Sequence, residues 1–166
     1  MKPSKLIEKI PILAVAFLAG SLNIVAHELA HHLSALALGL NSKMSAMSVQ
    51  IAATRIRYQA ITIISGPMVE IFLTIIGYIM FRKFRKEAPG SPLSLKEWCS
   101  FILGLACLRW VLQPVLAWTL KHRPTIGLSD EFKLSRILGL PSLTIPILAI
   151  IFGLIMFILL VRLHPS

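Results

Sequence analysis

Three residues near the start of the chain have types and spacing suited to one kind of chemistry. In His27-Glu28-Leu29-Ala30-His31 the two histidines are four apart, so on a helix they project from one face about one turn from each other. Two imidazoles so placed take two corners of a tetrahedral Zn2+ site, one zinc per chain. Glu28, beside the first ligand, is within reach of the water that such a metal activates and is suited to act as its general base. The carboxylate takes the proton and later passes it to a leaving amine. The reaction so described is hydrolysis of an amide. His32 lies about 100° round the helix from His31 and so off the ligand face. Asn23, one turn before His27, is placed either to orient an imidazole or to hydrogen-bond a neighbouring helix.

Two histidines leave a third protein ligand to find, with the fourth position open for water. The chain has only seven acidic residues. Glu8, Glu87 and Glu97 lie in basic, polar flanks, where solvation is expected. Glu70 stands inside an apolar run, and Asp130-Glu131 is the only adjacent acidic pair. The third ligand is therefore sought among Asp130, Glu131 and Glu70.

The elements that must position these groups are membrane helices. Of 166 residues 56% are hydrophobic and 14% charged, with a mean hydropathy of +0.79, too apolar to cover a soluble domain. Four segments, at about 10–38, 61–81, 98–120 and 143–161, are long enough to cross a hydrocarbon core of about 30 Å. The expected fold is a single all-α membrane domain over residues 1–166 with about four transmembrane helices. A carboxylate and three histidines inside the first span argue for function, since a central acidic residue alone costs roughly 2.5–3.5 kcal/mol on insertion. Between the first two spans, Val49, Ile51, Ile56 and Tyr58 alternate with Arg55 and Arg57, which suggests an extended or hairpin segment within 41–60. Behind Asp130-Glu131, Phe132, Leu134, Ile137 and Leu138 suggest a short helix.

The net charge of +10 sits in the polar breaks between apolar runs, where Lys and Arg meet lipid headgroups, and no recognition motif accompanies it, so nucleic acid is not an expected partner. The N-terminal pattern resembles a signal peptide, but the apolar run to Leu40 is too long for one and is expected to remain as a membrane helix. Cys99 and Cys107, eight apart on one helix, cannot bridge and are expected to serve as packing residues. Lys2, Lys5, Lys9, Arg82, Lys83, Arg85, Lys86, Lys96 and Arg162 fall on one side, and Lys43, Arg55, Arg57, Lys121, Arg123, Lys133 and Arg136 on the other. Nine against seven favours both termini inside by the positive-inside rule, a narrow margin that leaves orientation open. The expected setting is multi-pass, in a prokaryotic cytoplasmic membrane.

The run HELAHHLSALALGL resembles the site-2 protease family of intramembrane zinc metalloproteases. Ser65-Gly66-Pro67 is similar to that family's Gly-Pro element, and Ser129-Asp130-Glu131 with the following KLSRILGLP is similar to its divergent end, where an aspartate completes the metal site. The resemblance covers most of residues 20–140. It implies Asp130 as the third ligand, with Glu131 as the alternative, and Asn23, Gly66, Pro67 and Glu70 as residues beside the metal or substrate. Two departures stand out. Glu70 occupies the position of the family's Asn, and Asp130 precedes Glu131 rather than Gly. Glu70 could instead pair with Arg109 of the third span. The implied activity is cleavage of a peptide bond in or near a transmembrane segment of a membrane-protein substrate, with the 41–60 segment either as an edge strand for it or as an interfacial loop with Arg55 and Arg57 on lipid headgroups. A zinc-binding scaffold or chaperone without activity is the alternative, and a small transporter or channel subunit is a further one that predicts no bound metal. The sequence carries no signal for oligomeric state.

Overall fold

The structure, a computed structural model, describes residues 10–45, 48–52, 55–87, 93–119 and 129–163. Within them lie six helices and one hairpin in the order α1 (Ile10–Ala37), β1 (Ser42–Ser45), β2 (Ser48–Ile51), α2 (Ile56–Glu87), α3 (Leu95–Gly104), α4 (Cys107–Thr119), α5 (Asp130–Ile137) and α6 (Thr144–Leu163). Glu8 and the basic residues at 2, 5, 9, 121 and 123 lie outside the described residues, so the expected solvation of Glu8 and the count by membrane side have no structural counterpart.

Among the described residues three stretches are long and apolar enough to cross a membrane: α2, the α3–α4 pair over Leu95–Thr119, and α6. They point to a membrane protein. The sequence led us to expect a fourth in α1. That helix has the length, at about 42 Å for 28 residues. However, α1 is not among the three stretches found within the described residues.

The long helices turn their small and polar side chains inward and their large apolar ones outward. On α2 the buried stripe is Thr62, Gly66, Glu70, Thr74, Gly77, Phe81 and Arg85, recurring every three or four residues, while Phe72 and Ile79 are exposed. On α6 it is Pro146, Ala149, Gly153, Met156 and Leu160. This is the pattern of helices packed in lipid, where small residues let backbones approach and bulky ones meet acyl chains. A Cβ on Gly77 would lie 2.3 Å from the Gly104 backbone nitrogen, so α2 and α3 touch backbone to backbone. Phe81, Cys107, Met156 and Leu160 form the apolar core, and Cys99 is exposed; both cysteines are free.

Three expectations about the elements need correcting. The alternation through Ile56 and Tyr58 is not a strand: α2 starts at Ile56, five residues before the expected span, and Arg57 stacks on the Tyr58 ring at 5.0 Å. The hairpin is confined to β1 and β2, paired antiparallel with Ser42 opposite Ile51 and Ser45 opposite Ser48. The third apolar segment stands as a span over Leu95–Thr119, with its regular helix interrupted at Leu105–Ala106 between α3 and α4. Glu97 is not solvated. It is 1% exposed, caps α3 by accepting from the Ser94 N–H at 2.8 Å, and pairs with the buried Arg85 of α2 at 3.1 Å. Glu87, in contrast, is half exposed, 3.8 Å from Lys96.

Candidate metal centre

α1 delivers His27 and His31 to the interior from one face, and it stops where the sequence signals a stop. Gly39 adopts φ +69, and the N–H groups of Leu40 and Gly39 close back on the carbonyls of Ala35 and Leu36 at 2.9 Å. The chain then enters β1, where His32 Nδ1 lies 2.8 Å from Ser42 Oγ, tying the hairpin to the helix. His32 is thereby turned away from the other two rings. At the far end of the chain Ser129 precedes α5, and Asp130 is its first residue.

His27 and Asp130, 103 residues apart in sequence, meet at His27 Nε2–Asp130 Oδ2, 3.0 Å. His31 Nε2 lies 3.1 Å from the same oxygen and 2.9 Å from His27 Nε2. The three atoms form a triangle, buried on all three residues. An ideal tetrahedron with metal–ligand bonds of about 2.0 Å has edges of about 3.3 Å, a few tenths longer than these. Three lone-pair-bearing atoms held this close repel one another unless a proton or cation stands among them. Two imidazoles and a carboxylate so placed could hold a metal ion.

The other nitrogen of His31 is also engaged, which fixes the tautomer that leaves its Nε2 free to bind a metal. His31 Nδ1 donates to the Thr62 backbone carbonyl on α2, with Ser65 Oγ 3.4 Å away. His27 Nδ1 faces Glu70 Oε1 at 3.0 Å, close but without the alignment of a full hydrogen bond. The same Glu70 oxygen lies 2.6 Å from Arg109 Nη1 of α4, and Arg109 Nε donates to Gln113 Oε1 at 2.8 Å. Gly66 makes this approach possible. A Cβ there would fall 2.5 Å from His31 Nε2 and 2.7 Å from His27 Nε2, so the Gly-Pro element is the floor on which both rings rest.

Of the three acids weighed as third ligand, Asp130 alone joins the group, and Lys133 Nζ holds its outer oxygen at 3.2 Å. Burial pushes the Asp130 carboxyl up, but the imidazoles of His27 and His31 and the Lys133 ammonium outweigh it and hold it well below the usual carboxylate range. Glu131 is 4% exposed on the other side of α5. Burial, with the neighbouring carboxylates of Asp130 and Glu70, pushes its carboxyl up.

A cavity of about 910 Å3 opens beside the triangle, and its wall includes Glu28, His31 and Asp130 together with Ser48, Val49 and Ile51 of the hairpin. Asn23 and Arg109 also reach it. Asn23 Oδ1 is buried without a hydrogen-bond partner among the described residues. Pro67 is buried within α2 and, lacking an N–H, leaves the Ile63 carbonyl without its helical donor. The Thr62 carbonyl escaped sequence reasoning because a backbone acceptor exists at every residue and carries no signal of its own.

Compared with known proteins, the chain matches no family model, no curated relative and no solved structure.

Proposed function

We propose that this chain is an intramembrane zinc metalloendopeptidase, hydrolysing a peptide bond in or near a transmembrane segment of another membrane protein. The observation that supports this reading best is the buried triangle of His27, His31 and Asp130, two of whose members, His31 and Asp130, line the same cavity as Glu28. In this reading α1 is a fourth span, and the protein is multi-pass in a prokaryotic cytoplasmic membrane.

His27, His31 and Asp130 would hold the zinc, which supplies a Lewis acid that makes water a nucleophile near neutral pH. Glu28 takes the proton from the attacking water and returns it to the leaving nitrogen. Thr62 keeps His31 in the ligating tautomer, and the Glu70 carboxylate stands 3.0 Å behind Nδ1 of His27. A helical substrate hides its carbonyls and must unwind to be cut. β2 pairs with β1 along one edge, and its residues line the cavity, so an extended substrate segment can align against it by strand addition.

Two measurements on the detergent-purified protein test the reading. Metal analysis is expected to find about one zinc per chain in the wild type and in Glu28→Gln, and much less in His27→Ala. Cleavage of co-expressed membrane proteins with single spans is expected to fall by about 10²–10⁴-fold in Glu28→Gln. A metal-free wild type would remove the metalloenzyme reading and favour a polar cluster for transport. A zinc-loaded Glu28→Gln that cuts like the wild type would remove Glu28 as the base.

A further inference from the structure

The metal site so described ends at its ligands and their nearest hydrogen bonds, but the geometry behind His27 continues into a third helix. Glu70 is 2% exposed, and its Oε1 lies 3.0 Å from His27 Nδ1 and 2.6 Å from Arg109 Nη1. One carboxylate oxygen thus joins an imidazole on α1 to a guanidinium on α4. Arg109 is held on its other side by Gln113, one turn along its own helix. The pair sits beside a backbone contact: α3 touches α2 at Gly104 and Gly77, and Arg109, in the first turn of α4, meets Glu70 on α2.

We propose that Arg109 and Glu70 act as one positioning unit for the metal, with Arg109 fixing Glu70 so that Glu70 fixes the His27 ring. The proposal rests on the metal-centre reading above. The physical argument is charge balance in a dry interior. A buried carboxylate needs a countercharge, and the cations within its reach are Arg109 and the metal centre itself. With Arg109 in place Glu70 stays behind His27 and leaves the ligand triangle to Asp130. Without Arg109 Glu70 loses the group that pins it, and His27 loses a fixed partner at Nδ1. Arg109 touches no ligand atom of the triangle, so it is a positioning residue, acting through two intervening groups.

The test measures metal affinity rather than turnover, on the full chain in detergent, by chelator competition for Zn2+ and by the visible spectrum of the Co2+-substituted protein. Glu70→Gln and Arg109→Gln are each expected to weaken Zn2+ binding by about 10–100-fold and to change the Co2+ spectrum. The double variant is expected to be no weaker than the poorer single one, because the two side chains act in series. Arg109→Lys, which keeps the charge, is expected to recover much of the affinity. Should Arg109→Gln fail to fold, the charge-neutral double variant and Glu70→Gln carry the comparison. Wild-type affinity and spectrum in Glu70→Gln, or additive losses in the double variant, would overturn the unit. Affinity losses that merely track a lowered melting temperature of the metal-free protein would overturn it too. A wild type that binds no metal would instead overturn the metal-centre reading.

Discussion

At the residue scale, the site is built by exclusion as much as by attraction. Gly66 is the clearest case, because the only thing it contributes is the absence of a side chain where two imidazoles meet. Gly66→Ala is expected to displace the rings and to cut zinc content severely while leaving a folded helix, since Ala favours α2 by up to about 1 kcal/mol; metal analysis beside circular dichroism checks this. Asp130→Asn is expected to lose zinc and Glu131→Gln to keep it. The two acids also titrate in opposite senses. Asp130 is held low, so its contribution is present above the ordinary Asp value of about 3.9 and fades only as pH falls below that. Glu131 is pushed up, so its favourable protonated form is fully present below about 4.3 and is lost as pH rises through the raised value. In the metal-free protein Glu131→Gln is therefore expected to gain thermal stability over the wild type as pH rises from 4 to 7. A constant difference across that range would show that burial of its charge is not the cause.

The elements were legible in the sequence to unequal degrees. The HExxH helix, its glycine stop and the short helix after Asp130 follow from local pattern, and so does the hairpin, because each signal lies within a few residues of what it specifies. The turn inside the third apolar segment was not legible. Apart from Arg109 and Gln113-Pro114 the run from Trp98 to Thr119 suits a continuous membrane helix, and the interruption comes before them, just after Gly104 packs against Gly77 of α2 and Leu160 of α6. Glu97 was misjudged for the same reason: its flank is basic and polar, yet its partner Arg85 reaches it from another helix. The third ligand was narrowed to three acids but needed the fold to choose among them, since position in sequence says nothing of what lies opposite. Breaking the Arg85–Glu97 pair should separate stability from chemistry. Glu97→Gln is expected to cost about 3–5 kcal/mol, seen as a lower melting temperature in detergent, with zinc content unchanged.

For the molecule as a whole, polar chemistry sits inside and apolar surface outside. Phe17, Leu22, Phe72 and Ile147 face outward, while His27, Glu70, Thr74 and Glu97 are among the most buried side chains. Thiol labelling reads this inversion without any assay of function. Cys99 is expected to react with a small maleimide in folded protein and Cys107 only after unfolding, so Cys99→Ser should leave the native chain unlabelled.

The backbone contact between Gly77 and Gly104 has a mechanical consequence. It lies on α2 about 10 Å from Glu70 and about 12 Å from Arg85, at 1.5 Å per residue. Two glycines in contact have no rotamers to absorb strain, so the point behaves as a fulcrum with nearly equal arms. A tilt of about 5° would carry Glu70 about 1 Å one way and Arg85 about 1 Å the other, and displacements of about 1 Å can cost an enzyme about 10²-fold in rate. Any rotation of α2 about that contact would move the Arg85 end and the carboxylate behind His27 by similar distances in opposite directions.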